Sequence, residues 1–234
     1  MAAELNIPRV GIEARSAMDL ATLKTKAARR LGLGLHSRAN RYGLERDLSV
    51  AIENPSARIP ISVQPASDSD LERILSGSGV TDSGEQQELN ARRSFAAKVD
   101  GGAYVAIDER NGTPCYVQWL LGPEKNGVIG EIGGFPMLSE GEALLEDAYT
   151  PPSHRGLGIM SAAMALIAER GVDLGARRVI TFVGVDNIAS LKGCKKAGFY
   201  PYLEHTQTNW LFGIHSVDRF QPLPASDPRR SWAF

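Results

Sequence analysis

The chain has 234 residues, of which 43% are hydrophobic and 23% are charged, and its formal net charge at pH 7 is −1. These values are typical of one enlarged globular domain, or of a core domain with a smaller appendage. The balanced charge gives no general attraction to nucleic acid or to an anionic membrane, so we expect neither as a partner. The only cysteines, Cys115 and Cys194, suggest no disulfide framework and no metal site.

Targeting signals are not apparent in the sequence. The first residues lack the basic start and apolar run of a secretory signal. No apolar stretch approaches the roughly 20 residues that span a bilayer. Together with the low cysteine count, this predicts a soluble protein in the reduced cytoplasm.

Residues 1–57 differ in composition from the rest, with nine basic and six acidic side chains. Residues 16–31 are predicted to form a helix with Ser16 as its N-cap, and a second, weaker helix is predicted over residues 41–52. We interpret the segment as a helical extension packed on the main domain, and prefer this to a nucleic-acid arm because no aromatic stacking platform accompanies the charges. The apolar stripe of the first helix consists of Leu20, Leu23, Ala27 and Leu31.

From residue 58 the pattern predicts strands alternating with helices, which implies an α/β or α+β fold with a central mixed sheet. The predicted main domain covers residues 58–216, and residues 217–234 are predicted to be an exposed tail. Residues 122–141 contain six glycines and are predicted to be an irregular loop. The predicted strands are 59–63, 103–108, 115–121, 144–150, 178–183, 200–202 and 209–214, and the helices begin at 67 or 69, 85, 158 and 187.

One segment has the pattern of an anion-binding turn. A predicted strand leads through Arg155, Gly156, Leu157 and Gly158 into the start of a helix. The glycines allow backbone amides to approach a phosphate, and the helix start adds a partial positive charge. Arg155 supplies a permanent cation with forked donors. Taken alone, the segment fits a structural strand-to-helix connection equally well.

A second segment, residues 185–199, reads VDNIASLKGCKKAGF and follows a β-rich run. The two segments together resemble the GNAT superfamily of acyl-CoA-dependent N-acyltransferases. That family has Val-x-Pro-x-Tyr-Arg-Gly-x-Gly-Ile-Gly after a strand, and later Val-x-x-x-Asn-x-x-Ser and Lys-x-Gly-Phe. The resemblance is close over residues 143–202 and extends in outline over residues 58–216. The matching residues are Thr150, Pro152, His154, Arg155, Gly156, Gly158, Ile159, Asn187, Ser190, Lys196, Gly198 and Phe199.

The resemblance implies a GNAT-like central mixed β-sheet flanked by helices, here with an extra helical N-terminal segment. It also implies that acetyl-CoA or another acyl-CoA is the acyl donor. Arg155 and the amides of residues 156–160 would hold the pyrophosphate, and the backbone of residues 148–150 would pair with the pantetheine arm as an added strand does. Asn187 would bind the same arm, although it also fits an N-cap. The implied cofactor-binding residues are Ala148, Tyr149, Thr150, Arg155, Gly156, Leu157, Gly158, Ile159, Met160 and Asn187.

Two positions depart from the family pattern. Met160 stands where the family prefers glycine or alanine, and we expect it to narrow the space near the phosphates. Cys194 stands where many members have a tyrosine that is thought to protonate the departing thiolate. A thiol, with an ordinary pKa of about 8.5, can donate a proton, so Cys194 is a candidate catalytic residue. A small buried residue is an equally good interpretation of Cys194.

Acylation of an amine requires the loss of a proton, and Glu146 is the first candidate for the base. In an unbulged strand Glu146 and Thr150 lie on one face because their separation is even. A β-bulge would exchange Glu146 with Asp147. The reserve candidates are Glu142, His154 and His205.

The predicted function is transfer of an acyl group, most simply acetyl, to a small-molecule or peptide amine by direct attack in a ternary complex. A covalent acyl-cysteine route has no adjacent histidine to support it. One alternative is a module that senses acyl-CoA or binds a partner with little catalysis. Another is an acyltransferase that takes its group from an acyl carrier protein docked on the basic N-terminal helices. The sequence leaves open the acceptor, the acyl chain length and whether a homodimer forms.

Overall fold

The structure, a computed structural model, describes residues 34–77, 80–212 and 214–232. The predicted helix over residues 16–31 lies outside the described residues. The strands are β1 (His36–Asp47), β2 (Ile61–Pro65), β3 (Ala103–Asp108), β4 (Thr113–Leu121), β5 (Glu142–Tyr149), β6 (Arg178–Gly184), β7 (Tyr200–Trp210) and β8 (His215–Pro222). The α-helices are α1 (Asp68–Leu75), α2 (Ser83–Val99), α3 (Asn126–Ile132), α4 (Ile159–Glu169) and α5 (Ile188–Lys196).

The eight strands form one sheet in the order β2-β3-β4-β5-β6-β1-β7-β8. β5 and β6 run parallel and are connected through α4, whereas β2–β3, β3–β4, β4–β5 and β1–β6 are antiparallel pairs. This confirms the predicted mixed sheet flanked by helices. The chain divides into a larger unit, residues 40–205 and 220–232, and a smaller unit whose described residues are 34–39, 206–212 and 214–219.

Two apolar cores cover the two faces of the sheet in the larger unit. On one face α4 and α5 bury Met164 and Leu191 against Tyr116. On the other face the helices α1, α2 and α3 pack against the sheet, where Leu89 and Trp119 are buried. Burial of each such large side chain stabilises the fold by about 1.5–3 kcal/mol. The helices on both faces therefore hold the sheet in place on either side of β5 and β6.

β1 lies between β6 and β7, and this overturns two predictions. Its residues 41–47 pair with residues 178–184 of β6. Leu44 is fully buried, and Arg46 donates to the carbonyl of Ala165 at 2.9 Å and to Glu169 at 3.1 Å. The helix predicted over residues 41–52 is wrong, because pairing with β6 and burial outweigh a weak local helical spacing. The boundary that placed residues 1–57 outside the main domain is therefore also wrong.

Two further segments are more regular than predicted. The loop over residues 122–141 contains the helix α3, which buries Ile129. The segment called an exposed tail contains most of β8 and the buried Leu223, and Trp232 Nε1 donates to the carbonyl of Phe199 at 3.1 Å. Both segments make contacts with residues distant in sequence. Local composition does not predict such contacts.

We expect deletion of residues 1–55 to abolish cooperative thermal unfolding followed by circular dichroism. The deletion removes β1 from between β6 and β7, and the lost pairing and burial should exceed the ~5–15 kcal/mol by which domains are usually stable. A matched variant lacking only residues 1–33 retains β1 and should keep its transition. A folded protein without residues 1–55 would contradict the placement of β1 inside the sheet.

Candidate functional site

β5 and β6 pair in parallel at the start of each strand and then separate. β5 continues to residue 149 and β6 to residue 184, but the ladder between them ends after three pairs. The edge formed by residues 145–149 of β5 therefore has no ladder with β6. Carboxyl ends of parallel strands are the common ligand-binding edge of such sheets, and an extended ligand can pair there as an added strand. The three pairs are Glu142–Arg178, Ala143–Val179 and Leu144–Ile180.

A β-bulge interrupts β5 directly after Glu146. Trp119 of β4 lies opposite Glu146 and Val117 lies opposite Tyr149, so Asp147 and Ala148 together oppose one residue of β4. Asp147 has a φ of +55°, in the left-handed region that residues other than glycine seldom adopt. Such backbone strain is often found at functional sites.

The bulge decides which side chains share a face. Glu146 and Tyr149 lie opposite Trp119 and Val117, which both belong to the core on the α1–α2 face. Thr150 follows Tyr149 and falls on the opposite face by alternation. The unbulged arrangement, in which Glu146 and Thr150 would share a face, is therefore not the one that the strand adopts. Glu146 keeps its own side because the extra residue comes after it.

Glu146 and Asp147 form a pair of carboxyl groups with raised pKa values. Burial, reinforced by the charge of Asp147, raises the pKa of Glu146 to about 8, although Arg41 and Arg92 oppose the shift. Burial also raises the pKa of Asp147, again against Arg92. Asp147 Oδ1 lies 3.5 Å from Arg92 Nε, and its buried Oδ2 has no hydrogen-bond partner among the described residues. A carboxyl group that changes its charge near neutral pH is suited to proton transfer.

Helix α2 contacts the end of β5 through Glu85 and Arg92, which are two turns apart. Arg92 Nη2 donates to the carbonyl of Ala148 at 3.3 Å, and its guanidinium lies 4.8 Å from the ring centre of Tyr149. The sequence analysis missed both residues of α2. Two turns of helix separate Glu85 from Arg92, so the sequence could have placed both on one face of the predicted helix. Only the tertiary structure shows that this helix face contacts β5.

Arg155 is held by two partners. Its Nη2 donates to both carboxylate oxygens of Glu85 at 2.7 and 2.9 Å, and its Nε donates to the carbonyl of Thr150 at 3.0 Å. The predicted phosphate-binding cation is therefore neutralised by a carboxylate from α2. A phosphate can take this guanidinium only in exchange for Glu85.

The turn after Arg155 has the geometry that the glycines predicted. Gly156 and Gly158 have φ of +78° and +75°, and Gly158 is the N-cap of α4 without a side-chain cap. The amides of residues 158–161 come before the first intrahelical hydrogen bond, so they are available to an acceptor. These amides and the helix dipole form a cradle that suits an anion.

The side chain of Met160 packs beside α5. Its sulfur lies 3.0 Å from the position that a Cβ would occupy on Gly193 of α5. The side chain therefore fills the space left by that glycine, while its amide stays in the first turn of α4. The expectation that Met160 narrows the phosphate site stays a prediction.

Asn187 and Cys194 lie at the start and within α5. Asn187 Oδ1 accepts from the amide of Ser190 at 3.1 Å, so its N-cap role is confirmed, while its contact with a cofactor arm stays a prediction. Cys194 is fully buried, with its sulfur 3.7 Å from that of Met164. Burial raises the pKa of Cys194 to about 12. These facts support the interpretation of Cys194 as a small buried residue.

The three reserve bases have other partners. Glu142 is ion-paired with Arg178 at the start of β5. His154 Nε2 lies 3.5 Å from Asp108, and the fully buried His205 stacks on Phe220 at 4.6 Å. Glu146 therefore remains the first candidate.

No group of three or more histidine, cysteine, aspartate or glutamate side chains in the described ranges is placed to hold a metal ion. None of the helices described is long and apolar enough to cross a membrane.

Comparison with known proteins places the chain in a family. The model of the Acetyltransferase (GNAT) family matches residues 83–199, which is half of the chain. No curated protein sequence matched.

Three similar solved structures share 12–14% identity with the chain. A GNAT family acetyltransferase from Colwellia psychrerythraea has 14% identity and a TM-score of 0.48. The match covers 80% of this chain and 57% of the Colwellia chain. A GCN5-related glucosamine N-acetyltransferase region of a fungal multi-domain β-N-acetylglucosaminidase has 13% identity and a TM-score of 0.50. The match covers 86% of this chain and 23% of the fungal chain. A GNAT family acetyltransferase from Brucella melitensis, solved in complex with acetyl-CoA, has 12% identity and a TM-score of 0.36. The match covers 56% of this chain and 81% of the Brucella chain.

The chain thus spans less than three fifths of the Colwellia protein and less than a quarter of the fungal one. The family match covers both motif segments, including the glycine turn before α4 and the cap of α5. The chain belongs to the Acetyltransferase (GNAT) family.

Proposed function

We propose that this protein transfers an acetyl or other acyl group from acyl-CoA to an amine, by direct attack while both substrates are bound. The observation that carries the proposal is the half-buried carboxyl of Glu146, whose pKa is raised and which precedes the bulge where β5 and β6 separate. Membership of the family supports acyl transfer, and the carboxyl supports an acceptor that must lose a proton.

The residues that would hold acyl-CoA are those that fit its chemistry. The amides of residues 156–160 and Arg155 suit the pyrophosphate, and the backbone of residues 148–150 suits the amides of the pantetheine arm. Backbone amides are fixed donors, so they need little rearrangement on binding. For acyl-CoA to bind there, the Ala148 carbonyl must first lose its hydrogen bond from Arg92, and Arg155 must lose its ion pair with Glu85.

The proposed reaction forms a carbon–nitrogen bond, breaks a carbon–sulfur bond and moves one proton from the nitrogen to Glu146. The amine nitrogen attacks the thioester carbon, the carbon–sulfur bond breaks, and coenzyme A leaves as a thiolate. Glu146 takes the proton from the nitrogen and therefore acts in its ionised form. With a pKa of about 8, about a tenth of Glu146 is ionised at pH 7, and the fraction rises with pH.

Water is the proposed proton donor to the thiolate, and the hydroxide that it leaves takes up the proton held by Glu146. Cys194 is unsuited because a thiol with a pKa of about 12 is a weaker acid than an ordinary thiol. Its burial against Met164 also separates it from solvent.

A second candidate function is an acyl-CoA-binding module with little catalysis. The ion pair between Arg155 and Glu85 favours it, because the pair weakens the electrostatic attraction to a phosphate. Release of free thiol that depends on an added amine would support the enzyme. Binding of acetyl-CoA without such release, across a panel of amines, would support the module.

We expect Arg155→Glu to weaken coenzyme A binding by about ten- to a hundredfold, since a charge-assisted contact is replaced by repulsion. Glu85→Gln should instead tighten binding several-fold, because it removes the carboxylate that competes for Arg155. Calorimetry measures both changes. The matched control is Glu88→Gln, which removes an equal charge from α2 but contacts Arg92. Unchanged affinity in Arg155→Glu would remove the phosphate assignment.

We expect Glu146→Gln to keep coenzyme A affinity and lower turnover by about 10²- to 10⁴-fold. Wild-type kcat/KM should rise with pH and level off above about pH 8, as Glu146 becomes ionised. The variant should continue to rise towards the pKa of an ordinary amine, near 10, so the difference narrows above pH 8. Initial rates of thiol release across this range measure the effect.

Cys194→Ser is the comparison for this experiment and should cost much less than Glu146→Gln. If Cys194→Ser abolished transfer and mass spectrometry found an acylated wild-type enzyme, the route would be covalent. Full activity of Glu146→Gln at every pH would exclude Glu146 and direct attention to Asp147.

A further inference from the structure

The chain between β5 and α4 carries the glycine turn on a loop with little regular structure. Residues 150–158, all of which the structure describes, contain one short 3₁₀ helix, Pro152–His154. Short 3₁₀ segments have poor hydrogen-bond geometry, so such a loop depends on contacts with other elements to keep its shape. One such contact joins the loop to β3: His154 Nε2 lies 3.5 Å from Oδ2 of Asp108, the last residue of that strand.

Asp108 is a firmly held partner for this loop. Its side chain is fully buried, and Arg110 Nε and Nη2 donate to its two carboxylate oxygens at 2.9 and 2.7 Å. Its carbonyl accepts from the amides of Asn111 and Gly112 in the turn between β3 and β4. The hydrogen bonds from Arg110, with a smaller contribution from His154, hold the pKa of Asp108 well below its ordinary value. At neutral pH the loop therefore faces an ionised carboxylate in a fixed position.

The imidazole of His154 is engaged at both of its nitrogen atoms. Nε2 faces the carboxylate of Asp108, so this nitrogen carries a proton in either charge state of the ring. Nδ1 lies 2.9 Å from the hydroxyl oxygen of Ser153, and the side chain of His154 is only 13% exposed. Neither nitrogen is therefore left to bind a phosphate. The position of His154, directly before Arg155, instead makes it an anchor for the residues that follow.

We propose that Asp108 and His154 are positioning residues for the binding of acyl-CoA. Their contact fixes the loop, so that the guanidinium of Arg155 and the amides of the glycine turn are in place before the phosphates bind. This inference rests on the proposed function, because it concerns the residues that would hold the pyrophosphate. Groups that are fixed in advance lose less conformational freedom on binding, and this raises affinity without a contact to the ligand.

The contact with β3 gains importance because a second side-chain anchor of the loop is lost in the proposed complex. Arg155 must leave Glu85 of α2 to reach a phosphate, whereas the contact with β3 can remain. Beyond the glycine at 156, the amide of Arg58 donates to the carbonyl of Leu157 at 2.8 Å. The turn would then be held on both sides while Arg155 moves.

A matched pair of substitutions in the full chain tests the proposal. His154→Gln places an amide nitrogen where Nε2 lies, so it can still donate to Asp108, whereas the shorter side chain of His154→Asn reaches only the place of Nδ1. Calorimetry with coenzyme A should show binding about tenfold weaker in His154→Asn and within about twofold of the wild type in His154→Gln. Pantetheine, which lacks the pyrophosphate, is measured in competition with coenzyme A and should bind both variants as it binds the wild type.

The two ligands separate a positioning role from a purely structural one. A general loss of structure would weaken the binding of both, whereas a displaced turn weakens only the ligand that carries phosphates. Equal affinity of the two variants for coenzyme A, or a loss in His154→Asn that extends equally to pantetheine, would overturn the proposal. Failure of the wild type to bind coenzyme A would overturn the proposed function itself. Binding by the wild type that His154→Asn leaves unchanged would overturn only the positioning role.

Discussion

The candidate site depends on the early end of the ladder between β5 and β6. The two strands pair only as far as Leu144 and Ile180, although each continues further. Antiparallel partners, β4 and β1, hold the outer edge of each strand, and helices pack on both faces. The separation therefore leaves backbone donors and acceptors along β5 inside an otherwise paired sheet. Buried backbone groups need partners, so this edge is suited to bind an extended, amide-containing molecule.

The bulge after Glu146 determines which face of the sheet the following side chains of β5 occupy. Without the extra residue, the side chains after Glu146 would face the other way, because each shift by one residue reverses the faces. Asp147 adopts a strained backbone conformation, and Arg92 approaches both its carboxylate and the next carbonyl. The two acids are close and poorly solvated, so their pKa values rise. The bulge thus sets the faces of the side chains that follow Glu146, and burial beside the bulge raises the pKa values of both carboxyl groups.

Helix α2 links the two ends of the candidate site. Glu85 neutralises Arg155 beside the glycine turn, while Arg92 reaches the bulge. An arginine without an acid nearby would attract phosphate more strongly, but it would also attract other anions. In the proposed complex, exchange of the Glu85 carboxylate for a phosphate would make binding depend on the whole cradle of amides at the start of α4. The same exchange would alter the contact between α2 and β5, and α2 packs on the face where Glu146 lies.

The sequence by itself determined those features whose causes are local. The glycines at 156 and 158 predicted a strand-to-helix turn with accessible amides, and Asn187 predicted a helix cap, because each depends on hydrogen bonds or backbone freedom within a few residues. The tertiary structure alone decided the position of β1, whose strand pairing with β6 joins residues over 130 positions apart. It also decided the bulge, which depends on register with β4, and the pairing of Arg155 with Glu85 of α2, 70 residues away. Strand register and ion pairs are set by contacts between distant residues, and a single sequence records only which residues are available to make them.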